Sequence, residues 1–279
     1  MKLYYWKMQG GNFGDDLNPL VWNHYLNNHL DSDPKTTVLG IGTLINDKLL
    51  GRIREAHTIH VFGTGVGLGN HLQDLPFIDD AWNVHWVRGP LSAQVLGLPP
   101  STAVSDGAML IGQLYKPQAN VKKYAWSFMP HVYQARNGDK AWKLVCERAG
   151  IHYIDPRLPV TTILEMLSQT EVLIAEAMHG AIVADALRVP WIPVTSSDRI
   201  LSFKWQDWCA SLDIAYAPQK LSYIRNLNRF FFKSKLKETE ADFKNIKLSP
   251  TYLSSTTKYN EVIQEMLQRI ERFKQKVYE

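Results

Sequence analysis

The stretch EVLIAEAMHGAIVADALRVPWIPV, residues 171–194, constrains the fold more than any other part of the chain. An apolar run ends at Ala175, and a turn then carries Met178, His179 and Gly180. A short helix of small residues follows (Ala181, Ile182, Ala184, Asp185, Ala186, Leu187), and VPWIPV (189–194) supplies a second apolar run. Two strands joined through a helix make a parallel α/β unit, because parallel neighbours need a long crossover. His179 stands where such units collect ligands: at the carboxyl end of a strand, beside a helix N-terminus whose unpaired N–H groups favour anions. A capping or packing histidine is the alternative use of that position.

The same grammar recurs along the 279 residues. Apolar runs at KLYYW (2–6), TTVLGIG (36–42), TIHVFGTG (58–65), NVHWVRG (83–89) and TAVSDGAML (102–110) form one series of expected strands. KYAWSFMPH (123–131), IHYIDP (151–156), EVLIAEAMHG (171–180), VPWIPV (189–194) and DIAYAP (213–218) form a second, with KAWKLVCERAG and TTILEMLSQ as helices. LYKPQANVKK (114–123) has the composition of a linker, so the expected division is residues 1–117, residues 118–219 and a basic helical extension from 220 to 279. In that extension Val262, Ile263, Met266, Leu267, Ile270, Phe273 and Val277 share one helical face, which predicts a docked terminal helix.

Composition excludes several classes. Nine Trp, twelve Tyr and ten Phe are too many for a disordered chain. Two cysteines, Cys146 and Cys209, support neither a disulfide framework nor a zinc cluster. No metal site and no cofactor are expected. No run approaches the roughly 18 apolar residues that cross a bilayer, and the expected location is cytoplasmic. The charge is uneven: residues 220–279 hold thirteen Lys/Arg against seven Asp/Glu, whereas residues 1–219 hold eighteen against twenty. RNLNRFFFKSKLK (225–237) therefore has two uses, a Phe run packed on the core or a peripheral contact with an anionic membrane on its inner face. Nucleic acid is not expected, since no binding motif accompanies the charge.

Most sharper signals fall at strand ends. In GGNFGDDLNP (10–19), Gly10, Gly11 and Gly14 allow close backbone approach, while Asn12, Asp15 and Asp16 precede a helix and are suited to capping it or to facing a ligand. FGTGVGLGN (62–70) departs from the dinucleotide spacing and lacks its acidic partner, which excludes NAD. VRGPLSAQVLGL (87–98) puts Arg88 at a strand end before a helix carrying Ser92. A guanidinium there forks onto a phosphate or carboxylate, at about 1.5–3 kcal/mol per charge-assisted bond, or forms an interdomain salt bridge.

Taken in order, NFGDDLNP, VRGPLSAQVLG, SDGAML, FMPH and AEAMHGAIVADALRVPWIPVTSSDR resemble the polysaccharide pyruvyl transferase family, specifically its bacterial exopolysaccharide ketal pyruvyltransferases, over roughly residues 8–210. The resemblance implies two Rossmann-like α/β domains facing across a cleft, similar to the GT-B glycosyltransferases. It implies transfer of pyruvyl from phosphoenolpyruvate onto two hydroxyls of a sugar, free or lipid-linked, as a cyclic ketal. Under it His179 is the acid, and Asp15 or His131 the base. Arg88, Arg199, Lys204 and Gly180 bind the donor, on the second domain's side, with Arg88 reaching across from the first domain. Asn12, Asp16 and Asp106 belong to the saccharide acceptor, on the first domain's side. One departure stands out: many members carry Arg two positions before the His, where this chain has Ala177. The alternatives are a nucleotide-sugar glycosyltransferase of the same architecture and a non-catalytic relative that binds glycans or lipid surfaces.

Overall fold

The computed structural model of the protein describes residues 1–67, 75–117, 121–197, 200–224 and 229–277, the side chains of 229–231 and 277 excepted. Two parallel sheets organise it. The first contains β1 (Lys2–Tyr4), β2 (Thr36–Leu39), β3 (Thr58–Phe62) and β4 (Trp82–Trp86) in that spatial order. The second contains β5 (Tyr124–Met129), β6 (His152–Tyr153), β7 (Thr170–Ala175), β8 (Trp191–Thr195) and β9 (Gln219–Lys220) in the order β6-β5-β7-β8-β9. The unit read first from sequence is there: β7 leads through a helix into β8, with Leu173 opposite Trp191 and Ala175 opposite Pro193.

The helices that matter to the cleft are α1 (Phe13–Leu26), α2 (Leu49–Arg52), α3 (Pro90–Val95), α4 (Ile111–Leu114), α5 (Val132–Ala149), α6 (Val160–Ser168), α7 (Met178–Ala186) and α8 (Ser202–Ser211). Asn12 caps α1 with an extended backbone, so Asp15 and Asp16 lie inside its first turn rather than ahead of it. Two expected strands are absent. TAVSDGAML keeps a single parallel bridge, Ala103 opposite Val87, and then closes into a 3-10 helix at Gly107–Leu110, because Asp106 Oδ1 accepts the Ala108 N–H and Trp86 Nε1 donates to the Ser105 carbonyl. DIAYAP is held to the end of α8 by the Ile214 N–H on the Cys209 carbonyl, and β9 begins only at Gln219.

The C-terminal segment divides between the sheets. Helix α9 (Arg229–Ile246) buries Leu236, Phe243 and Ile246 against the second, with Phe243 packed 5.1 Å from Phe128. Phe232 is half-buried in the same cluster, whereas the other two Phe of the FFF run lie outside the described side chains. Helix α10 (Thr256–Val277) returns to the first: Val262, Ile263, Met266, Ile270 and Phe273 are buried, and Arg269 donates to the carbonyls of His85 and Ser101. The side chain of Val277 lies outside the described residues. No helix among the described residues is long and apolar enough to cross a membrane.

Candidate functional site

The order β6-β5-β7-β8-β9 reverses direction between β5 and β7, and α/β sheets bind ligands in the crevice outside the carboxyl ends of the strands that flank such a reversal. Polar residues follow both strand ends. The Met129 carbonyl closes β5 by accepting the N–H groups of Glu176 and Ala177. Fully buried Glu176 then accepts from the His131 N–H at 2.9 Å, the Ser196 N–H at 2.8 Å and Ser196 Oγ at 2.5 Å. One carboxylate thus fixes the exits of β5, β7 and β8. Burial raises its pKa, and the bonds from Ser196 and His131 oppose that shift.

Helix α1 crosses from the first lobe to meet this edge. The Phe13 N–H donates to the Pro156 carbonyl at 2.8 Å, and Gly14 lies against His179 so closely that a Cβ would come within 2.0 Å of Nδ1. Glycine is required there by contact, not by dihedral angle. The resulting cavity, about 240 Å³, receives the first turns of three helices: Asn12 to Asp15 of α1, His131 to Tyr133 of α5, and Ala177 to His179 of α7. The leading N–H groups of a helix lack intrahelical acceptors and carry its positive end, so three such ends turned inward make a positive field, although the Phe13 N–H of α1 is taken by Pro156 and the Tyr133 N–H of α5 by His131 Nδ1. Helix α7 has no side-chain cap to compete for them.

Side chains add to that field. Lys204, half-buried on α8, lines the cavity and finds no hydrogen-bond or ion-pair partner among the described residues. Burial, then the Arg88 charge, pushes its pKa down to about 8, against the pull of Asp15 and Glu176. Opposite it, Arg52 lies 4.4 Å over the half-exposed Trp6 ring, and both line the cavity. Asp15 accepts from Asn12 Nδ2 at 2.5 Å; burial raises its pKa, while His179, Asn12 and Lys204 lower it. His131 is held neutral, its pKa pushed down to about 3 by burial and by Lys204.

His179 is 16% exposed, and its Nε2 points away from the cavity at Asp106 Oδ2, 3.7 Å distant. Neither atom has a hydrogen-bond partner, and Asp106 is fully buried. A buried carboxylate oxygen facing a neighbouring imidazole orients that ring.

The structure therefore brings His179, Asp15, His131, Lys204 and Asn12 to one cavity. It places the other expected residues elsewhere. Arg88 is fully buried and bonded to Asp207 Oδ2 at 3.0 Å, Thr43 Oγ1 at 3.1 Å and the Val66 carbonyl at 3.3 Å. Ser92 Oγ and N–H complete the Asp207 carboxylate at 2.5 and 2.9 Å, so the VRGP segment forms a buried salt bridge to α8. Asp16 accepts the N–H of the capping residue Asn12, and Gly180 packs beneath the helix against Met129. Asp106 caps a 3-10 turn through its other oxygen. Arg199 lies outside the described residues. Sequence reasoning missed Glu176, Arg52 and Trp6; only Glu176 left a signal, an acidic residue directly after an apolar strand. Among the described residues no three His, Cys, Asp or Glu side chains converge as metal ligands would.

Comparison with known proteins agrees on one family. The model for polysaccharide pyruvyl transferase matches residues 49–198, from α2 to just beyond β8, and this span includes Asp106, His131, Glu176 and His179. The chain is also similar to the succinoglycan biosynthesis protein ExoV of Rhizobium meliloti (strain 1021), 40% identical over 223 residues that cover 79% of this chain and 68% of that protein.

Proposed function

The chain belongs to the polysaccharide pyruvyl transferase family, and from that premise we propose that it moves the pyruvyl group of phosphoenolpyruvate onto two hydroxyls of an exopolysaccharide precursor, across a GT-B-like cleft. The observation that carries the donor is the convergence of three helix N-termini and an unpaired lysine on one small cavity at the reversal of the second sheet. At about 240 Å³ it falls just below the roughly 300–1,000 Å³ usual for drug-sized ligands, which suits a three-carbon phosphate ester.

The chemistry adds a proton to the donor's methylene carbon, which makes C2 electrophilic. A sugar hydroxyl adds to C2 and gives up its proton. The C2–O bond to phosphate breaks, and a second hydroxyl adds at the same carbon and loses its proton in turn. One proton is consumed and two are released, one of them leaving on the phosphate. His179 supplies the first proton: Asp106 behind Nε2 orients the ring and leaves Nδ1, beside Gly14, on the cavity side. Asp15, whose pKa is raised and whose carboxylate lies on the same wall, receives a hydroxyl proton. Neutral His131 and cationic Lys204 hold the phosphate with the α7 N–H groups.

Incubating the protein with phosphoenolpyruvate and an extract of lipid-linked oligosaccharides should release inorganic phosphate in step with a mass gain of one pyruvyl ketal per acceptor. Phosphoenolpyruvate should also raise the melting temperature where nucleotide sugars do not. Stabilisation by nucleotide sugars alone would turn the assignment to glycosyl transfer.

A further inference from the structure

A second cavity, about 720 Å³, opens beside the first on the second lobe and shares His131, Tyr133 and Lys204 with it. Its volume lies well inside the range of about 300–1,000 Å³ for ligand sites. Its chemistry differs. Apart from Lys204 at the shared border, no described residue lining it carries a fixed charge: Gln134, Asn137, Ser196 and Ser197 offer amides and hydroxyls, and Tyr133, Ile200 and Leu201 offer apolar or aromatic faces. Tyr133 is 58% exposed and Leu201 46%, although both are large enough to be buried elsewhere. The amides are half engaged. Gln134 Nε2 donates to Ser196 Oγ and Asn137 Nδ2 to the Tyr133 carbonyl, so each side chain is held in place while its carbonyl oxygen accepts nothing.

Fixed amide acceptors beside an exposed phenol ring suit a ligand with many hydroxyl donors and an apolar C–H face. We propose that this second cavity binds the acceptor, as an uncharged saccharide segment lying on Tyr133 with its hydroxyls on Gln134 and Asn137. The inference rests on the pyruvyl-transfer reading, and it explains why two cavities of opposite character adjoin. The charged one holds the anionic donor, the second holds the sugar, and the two meet at the His131–Lys204 border. It also relocates the acceptor from the first lobe, where Asp16 and Asp106 are engaged in caps and Asn12 in holding Asp15.

Two substitutions touch this cavity alone: Asn137→Ala removes one acceptor, and Leu201→Trp fills space from an exposed position. Saccharide binding is read by saturation-transfer NMR with a panel of neutral gluco- and galacto-oligosaccharides, and donor binding by the thermal shift with phosphoenolpyruvate. The expected result is parental donor binding in both variants, with saccharide affinity weakened at least about tenfold, or roughly 1.4 kcal/mol. Unchanged saccharide affinity in both variants overturns the proposal, and so does a parent protein that binds the donor but none of the panel. A parent that fails to bind phosphoenolpyruvate overturns the pyruvyl-transfer reading itself, and the two failures are told apart in one set of measurements.

Discussion

The two sheets are both parallel and both send strand-end residues into the cleft, yet only one of them makes a crevice. In the first, spatial order follows chain order from β1 to β4, so its crossovers advance in one direction and no strand pair splays its connections apart. It supplies a wall: Trp6, Thr43 and Arg52 from loops and a short helix, and α1 reaching across. In the second, the reversal between β5 and β7 opens the edge where α5 and α7 begin. The histidines divide the same way. His60 and His85 sit within β3 and β4, joined at 3.1 Å, stacked with Phe62 and covered by Phe273, and burial pushes their pKa values down to about 4 and about 3. His131 and His179 lie two and four residues past the ends of β5 and β7. Place along the strand, rather than residue type, separates a packed histidine from one that lines the cavity.

The hardest test of that contrast exchanges the chemistry of one histidine from each sheet. His179→Gln should retain most donor affinity, since the helix N–H groups and Lys204 remain, and lose roughly 10²- to 10⁴-fold in turnover as general acid catalysis disappears. His85→Phe, which keeps a ring between Phe62 and Phe273, should turn over at the parental rate. Melting temperature is measured beside rate. A stable Gln variant with parental turnover would leave His179 as a hydrogen-bonding post, and the division between the sheets would not extend to catalysis.

Arg88 tests the boundary between the lobes. Removing one partner of a buried ion pair typically costs about 3–5 kcal/mol, because the other charge is stranded. Arg88→Met should therefore lower the melting temperature sharply while any protein that stays folded binds phosphoenolpyruvate like the parent. Adding Asp207→Leu should recover part of the loss, since both charges are then gone. A stable Arg88→Met protein with weakened donor binding would return Arg88 to the site and make the first sheet a partner in anion binding.

Arg88 also shows what sequence carries and what it does not. Strand ends and helix starts were legible because apolar runs and small-residue helices are local, and so the crossover at 171–194 and the positions of His131, His179 and Asp15 could be read. The partner of Arg88 was not: Asp207 lies 119 positions away on α8, and no local pattern joins them. Arg52 and Trp6 were missed for the same reason, since only the fold stacks them on the rim. The two lost strands, at 102–110 and 213–218, failed through short-range competition: a capping Asp106 and the end of α8 took backbone groups that a sheet would have used. The spatial order of the second sheet, which creates the crevice, has no local signature in the chain.

The smallest expected effect, and the one that most directly probes the field of the second sheet's edge, belongs to Lys204. Its amine is pushed down to about 8 by burial and by Arg88, below the ordinary lysine value, so it loses charge as pH rises through about 8. Donor affinity should fall over that interval, with the midpoint moved upward in the complex because a bound anion favours the charged amine. Stability runs the other way. A folded pKa below the unfolded one means that the unfolded chain binds more protons between the two, so this group's contribution rises with pH from about 8 up to the ordinary lysine range. Lys204→Met should bind phosphoenolpyruvate about ten- to a hundredfold more weakly at neutral pH, lose the alkaline decline in affinity, and melt no lower than the parent. Lys204→Arg keeps the charge at all these pH values and should bind with a flat profile near the parental affinity. Binding and stability that respond in opposite senses to one amine mark a group held charged for a ligand; an alkaline decline that persists in Lys204→Arg would assign the titration to another group and leave the cavity's field to the three helices alone.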